Sequence, residues 1–301
     1  MNTWQRALLI ELKNNRWAEV ERRWRAWPQE RQRRFEATFQ AALRVGASPV
    51  MVGDAEYPKG WSRLSQPPVG AWLRGRWDNE GRGVGIVGSR AAPPEVCARV
   101  RAYAADCVVQ GDRVISGAAV GVDTAAHVGA GSAGSIAVVP FGIEGPRVGQ
   151  GQLTVEQICG AGGAVWGAAL LRDGARQRYV ARNQLLAGLC DRLLVAHAAL
   201  KSGTMHTVRF AQALDLRIDA WWTPGDPSTN DGCREILGAG LPLQPMLRDL
   251  LKALRKAKGR VRGVDRRRFP ELALLLLELE CEGWIRSVGP GLYDCGEAKK
   301  R

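Results

Sequence analysis

The sequence predicts an α/β protein built on an open, doubly wound parallel sheet, with a helical segment before it and a winged-helix-like segment after it. Two observations carry this. Short apolar runs at Val84–Val87, Val114–Ile115, Ser135–Val139, Leu193–Ala196 and Ile218–Trp222 alternate with helix-like stretches near Glu95–Val109, Asp123–Gly129, Val155–Cys159, Arg182–Leu189 and Thr204–Leu214. Buried strand-like runs separated by helices are the pattern of parallel crossover units. The second observation is that each Gly- and Ser-rich motif of this region stands just after one of those runs, or opens a helix. In open α/β sheets that is where ligands bind.

Three regions follow in order. Residues 1–48 carry helical apolar spacing: Leu8, Leu9 and Leu12, then Trp17, Val20 and Trp24, then Phe35 and Phe39. Trp27-Pro28 interrupts them, because a residue before proline avoids the helical region. Residues 50–242 form the α/β region. Residues 243–301 return to helix, with a basic amphipathic stretch at Met246–Ala257, a charge run at Arg266–Arg268 and a leucine-rich stretch at Glu271–Glu282. Trp284–Tyr293 then reads as two short strands around Gly289-Pro290-Gly291, and helices followed by a hairpin suggest a winged helix. Arg266–Arg268 reads first as a solvated face.

Charge separates the same regions. The chain has 43 Lys+Arg against 30 Asp+Glu, a formal net charge of +13. Residues 1–48 contribute 10 basic and 5 acidic side chains, residues 243–301 contribute 14 and 8, and the remainder 19 and 17. Such an excess favours a polyanionic partner through counterion release, although an Arg-biased solvated surface gives the same count.

Other classes are disfavoured. No window approaches the ~18 apolar residues of a membrane span, and Met1–Trp17, with Arg6, Glu11 and Lys13, lacks a signal-peptide layout. The expectation is a cytoplasmic protein with no membrane partner. Cys97, Cys107, Cys159, Cys190, Cys233, Cys281 and Cys295 form no C-x-x-C pair and no zinc spacing, so they read as reduced thiols and no metal is expected. Gly83-Val84-Gly85-Ile86-Val87-Gly88 matches the dinucleotide fingerprint letter for letter, yet its middle is the strand itself. There is no Walker A sequence and no H-E-x-x-H, so no cofactor is expected.

Four motifs can carry chemistry. In Val87-Gly88-Ser89-Arg90, Gly88 permits a sharp turn, Ser89 brings a hydroxyl and Arg90 a planar guanidinium, next to the free amides of a coming helix. In Ser116-Gly117-Ala118-Ala119-Val120-Gly121-Val122-Asp123, Gly117 and Gly121 shape a loop able to wrap a phosphate or sugar. Asp123 reads first as the cap of the next helix, and His127, one turn on, as its potential pair, although no nucleophile completes a catalytic set. Ser202-Gly203-Thr204 again joins a strand to a helix and suits an oxyanion. Arg182-Asn183 opens a helix, a cation beside an amide that suits a phosphate and a neighbouring sugar or base edge. Trp221-Trp222 at a strand end could stack bases, with core packing the simpler use.

With these motifs in order, the chain resembles the DNA-processing protein A (DprA/Smf) family. Tyr57-Pro58, Leu64, Pro67-Pro68 and Leu73-Arg74-Gly75 are similar to the family's entry segment. The Val-Gly-Ser-Arg loop, the Ser-Gly…Gly-Val-Asp segment, Arg182-Asn183, Ser202-Gly203 and Pro224-Gly225 follow in family order. The resemblance implies a Rossmann-like fold whose basic pocket takes single-stranded DNA without catalysis. It also implies a homodimer that helps load a RecA-type recombinase. Arg90 is the residue the resemblance carries over first, followed by Gly88, Ser89, Gly117, Arg182, Asn183, Ser202 and Gly203. The chain departs from the pattern where Gln184 replaces the second arginine of Arg-Asn-Arg. It departs again around Gly142–Arg147, at Gly151, at His197 in a usual glutamate position and at Arg234 in a usual asparagine position. These departures suggest a divergent paralogue.

Two further readings stay open. One is an enzyme of the related Rossmann-like group that cleaves nucleotide N-glycosidic bonds, whose loop resembles Gly203-Thr204. That group places a glutamate next, where this chain has Thr207 and Val208. The other is a nucleotide sensor that binds without cutting.

Overall fold

A computed structural model describes residues 1–143, 147–148, 153–172, 175–222, 228–238, 285–289 and 292–295. The chain opens with α1 (Thr3–Leu12), α2 (Trp17–Arg25) and α3 (Gln29–Arg44). Asn2 and Gln5 form a capping box that starts α1: each side chain accepts from the other's backbone N–H. Pro28 precedes α3, so the break expected at Trp27-Pro28 is a helix junction.

The α/β region runs β1 (Ser48–Met51), a 3-10 turn (Lys59–Arg63), β2 (Gly70–Gly75), β3 (Gly83–Gly88), α4 (Pro94–Val109), β4 (Arg113–Ser116), α5 (Val122–Gly134) and β5 (Ser135–Val139). It continues with the short pair β6 (Arg147–Val148) and β7 (Leu153–Thr154), then α6 (Val155–Gly160), β8 (Ala164–Gly167), α7 (Ala175–Leu189), β9 (Arg192–His197), α8 (Thr204–Ala213), β10 (Arg217–Ala220) and α9 (Asp231–Gly238). A final hairpin pairs β11 (Ile285–Gly289) antiparallel with β12 (Leu292–Cys295), where the sequence placed two short strands. The helices expected in 243–282, the motif Pro224-Gly225 and Gly151 lie outside the described residues.

The main sheet has 8 strands in the order β1-β2-β8-β5-β4-β3-β9-β10. From β8 to β10 every pairing is parallel, while β1 and β2 add an antiparallel edge. That edge is an addition to the sequence expectation: Gly70–Gly75 includes Arg74 and does not read as an apolar run.

Side chains alternate across the sheet with the period of a strand. Ile115, Ile136, Val138, Trp166 and Val195 face one core with Trp61 and the α7 residues Leu185, Leu186 and Leu189. Val84, Ile86, Val114 and Leu194 face the other side, under α4 and α5. On that second side Trp72 and Val165 share a core with Leu8, Ile10, Phe35 and Phe39, so the N-terminal helices cover the β1-β2-β8 end of the sheet. Trp4, Trp17, Trp24 and Trp27 pack against that core, which accounts for much of the tryptophan content. Trp221 meets Tyr103 edge to face, and Trp222 packs on the first core.

Candidate nucleic-acid interface

β3 lies between β4 and β9, and the chain leaves β3 and β9 toward opposite faces of the sheet: α4 lies on one, α8 on the other. The loops after these two strands therefore part at their carboxyl ends, which is the reversal point where doubly wound sheets seat ligands. A cleft of about 370 Å³ opens there. Gly88, Ser89, Arg90, Asp123, Arg182, Asn183, Ser202, Gly203 and Thr204 line it, joined by Val87, Ala119, Tyr179 and Thr207.

The β3 loop is held by backbone bonds. The Ser89 N–H donates to the His197 carbonyl at 2.7 Å, and the Ser89 carbonyl accepts from the Val122 N–H at 3.2 Å. Its hydroxyl accepts from the Ala91 N–H at 3.1 Å, which leaves Arg90 exposed at the tip. Gly121, at φ +79, sits against this loop: a Cβ there would stand 2.4 Å from the Ser89 carbonyl oxygen. Gly121 thus shapes the loop by letting it pack on the β3 turn.

Ser116 and Gly117 also sit behind the lining. The buried Ser116 hydroxyl donates to the Ile86 carbonyl at 2.7 Å, bridging β4 to β3. Gly117 makes room for Arg182, since a Cβ would lie 1.4 Å from a guanidinium nitrogen. The next residue, Ala118, adopts φ 58, a left-handed conformation costing an alanine roughly 1 kcal/mol.

Two expectations for this loop are corrected. Asp123 does not cap α5: Gly121 occupies the N-cap position with no side-chain bond, and the Asp123 carboxylate turns back to accept from the Ala119 N–H at 3.3 Å. It faces Arg182 at 3.9 Å. Nor does His127 pair with Asp123. His127 is fully buried, with Nδ1 3.3 Å from the Ser135 hydroxyl, and burial pushes its pKa down to about 4.

A third correction concerns Arg182-Asn183, which sits in the middle of α7 rather than opening it. Nothing in Ala175–Ala181 announces a helix start, so the sequence missed the first half of α7 and, with it, Tyr179. One helical turn separates Tyr179 from Arg182. The Arg182 and Arg90 guanidiniums lie 5.9 Å and 5.6 Å from the Tyr179 ring centroid, so the phenol lies within cation–π range of both. Asn183 donates to the Gly203 carbonyl at 3.3 Å, joining α7 to the β9 loop.

The cleft is short of negative charge. Among its described lining residues Asp123 is the one carboxylate. Burial raises its pKa, with Arg182 working against that. Burial likewise lowers the Arg182 pKa, with Asp123 opposing and the Arg90 charge adding to the depression. The Ser202 hydroxyl is shielded from solvent without a hydrogen-bond partner among the described residues, and no side chain caps the N-terminus of α8 that follows. An oxyanion would satisfy all three features at once. Gln184, in place of the family's second arginine, turns outward to the Gln66 carbonyl at 3.4 Å. His197 is buried, and its carbonyl accepts from the Ser89 N–H. Among the described residues no cluster of His, Cys, Asp and Glu is arranged to hold a metal.

Sheet order and cleft together define a Rossmann-like α/β protein that offers its ligand site at the carboxyl ends of parallel strands. The chain belongs to the DNA recombination-mediator protein A family, whose profile matches residues 48–255. It is 29% identical over 182 residues to the protein Smf of Borreliella burgdorferi, covering 59% of this chain and 57% of that one. The chain thus spans little more than half the length of that relative. Its fold is similar to DNA processing protein A of Streptococcus pneumoniae, with TM-score 0.60 and 24% identity over 79% of this chain and 82% of the other. It is also similar in fold to the Helicobacter pylori protein, whose structure concerns its single-stranded DNA binding mode. There the TM-score is 0.57 and the identity 24%, covering 69% of this chain and 97% of that one.

Proposed function

We propose that the cleft binds the sugar-phosphate chain of single-stranded DNA and does no chemistry on it. The observation that carries this is the pair of guanidiniums, Arg90 and Arg182, gathered about one tyrosine ring, with the Asp123 carboxylate 3.9 Å from Arg182 as the one acidic group in the described lining. Phosphates would rest on Arg90, Arg182 and the amides around Ser202-Gly203-Thr204. Tyr179 offers a π-face to an unstacked base, which a duplex cannot present without opening. The family's description as a recombination mediator supports the next step, delivery of the strand to a RecA-type recombinase. A homodimer working in the cytoplasm belongs to the same proposal. Among the described residues no helix is long and apolar enough to cross a membrane.

The geometry disfavours the glycosidase alternative. Cleaving an N-glycosidic bond needs a carboxylate to stabilise the ribosyl cation. Asp123 is buried and turned toward Arg182, and Thr207 stands on α8 where that enzyme group has its glutamate. A panel of single-stranded DNA, duplex and nucleoside monophosphates tests the reading. Tight binding of the single strand, weak binding of the others and no base release are expected. Base release from a monophosphate would overturn it.

A further inference from the structure

Outside the cleft lining, a second aromatic ring and a third arginine adjoin Tyr179. The Tyr179 ring meets Phe141 edge to face at 5.9 Å, and Phe141 carries the exposed Arg172 guanidinium at 5.3 Å from its ring centroid. Just before Arg172, the backbone N–H groups of Leu170 and Leu171 donate to the buried Glu11 carboxylate of α1, at 2.9 Å and 3.4 Å. Glu11 also pairs with Arg178, the neighbour of Tyr179 in α7. This buried link fixes the C-terminal end of α1 against the segment that carries Arg172 and against α7.

Lys13 stands at that end, exposed, in an unusual conformation. It closes α1 at φ 50 and ψ 47, its N–H donating back to Ile10. The left-handed C-terminal position favours glycine, because a Cβ is penalised there. Keeping a lysine at such a position is a local cost that helix termination does not require. Partial desolvation of the side chain, and next the charge of Arg178, hold the Lys13 ammonium below its ordinary pKa.

We propose that Lys13 and Arg172 form a second phosphate-binding ridge that receives a DNA single strand as it leaves the cleft over Phe141. This rests on the single-strand reading of the cleft. Through the ridge, the N-terminal helices lengthen the bound segment rather than only covering the sheet.

Salt-dependent binding of a short and a long thymidine oligonucleotide tests it, with about six and about eighteen nucleotides chosen to lie near and beyond the usual span of a single site. The variants are Lys13→Gly, Arg172→Ala and the double substitution. On the long strand, the slope of log affinity against log salt should become shallower by about 0.7 for each lost cation. The short strand should bind as to the unchanged protein, and Lys13→Gly should not lower the melting temperature. Unchanged slopes on the long strand would overturn the ridge, as would equal losses on both lengths. If the unsubstituted protein bound neither strand, the cleft reading would fail first and the ridge with it.

Discussion

The two ends of the parallel sheet use the same side chain in opposite ways. At the amino ends, the strand-borne guanidiniums of Arg113 and Arg192, with Arg82 just before β3, are neutralised within the chain. Arg113 donates twice to Asp78, at 2.7 Å and 2.9 Å, and the buried Asp112 accepts from Arg82 at 2.9 Å and Arg192 at 3.1 Å. At the carboxyl ends, Arg90 has no ion pair among the described residues, and Arg182 shares Asp123 only at 3.9 Å. A groove of about 140 Å³ does exist at the amino end, lined by Lys59, Arg63, Trp77 and Arg113. The difference lies in how the arginines are held: those with close carboxylate partners tie strands together, whereas Arg90, without an ion pair among the described residues, and Arg182, 3.9 Å from Asp123, converge on one cleft.

The contrast sharpens under acid. Buried His127 has a pKa near 4, against about 6.5 for an exposed histidine. Because the folded pKa is depressed, burial of the neutral ring costs nothing extra above about pH 6.5. As pH falls below that, the unfolded chain takes up the proton first and stability drops until the folded group also titrates near pH 4. The loss is on the order of 3 kcal/mol. The raised pKa of Asp123 acts the other way, since its folded form takes up a proton before the unfolded one does. Denaturant melts across this window should show the net fall, and His127→Leu should flatten it.

Next in size is Arg90→Ala. It removes an exposed guanidinium that supports no ion pair among the described residues. It should weaken single-strand binding by about 10- to 100-fold, the worth of a charged hydrogen bond, while leaving the melting temperature nearly unchanged. Arg113→Ala is the matching substitution at the other end. Its pair with Asp78 is part-exposed, so it should cost under about 1 kcal/mol of stability and leave the DNA affinity alone. If Arg113→Ala weakened binding as much as Arg90→Ala, the distinction between the ends would fall. The smallest effect is expected from Gln184→Arg, which adds a cation next to the lining residue Asn183 in α7 and should steepen the salt slope by about 0.7.

Much of this arrangement was legible in the sequence, for a physical reason. Strands such as Val84–Val87 and Ser135–Val139 are buried on both faces, so they read as unbroken apolar runs, and the loops after them announce themselves through glycine and hydroxyl residues. The antiparallel edge was hidden because Arg74 interrupts β2, where it pairs with Glu156 at 3.5 Å. Tyr179 was hidden because α7 begins among polar residues without a cap signal. The fate of Asp123 depended on tertiary packing: with Gly121 in the N-cap position and Gly117 opening space for Arg182, the carboxylate was free to turn inward. Spacing along the chain shows neither of these glycine contacts, because both reach across to another element.

Equilibrium binding of a polythymidine strand over a salt series probes the cations gathered at the carboxyl ends most directly. If about five phosphates are neutralised, log affinity should fall against log salt with a slope of about −3.5. Affinity that stays flat as salt rises, or no binding even at low ionic strength, would contradict the account.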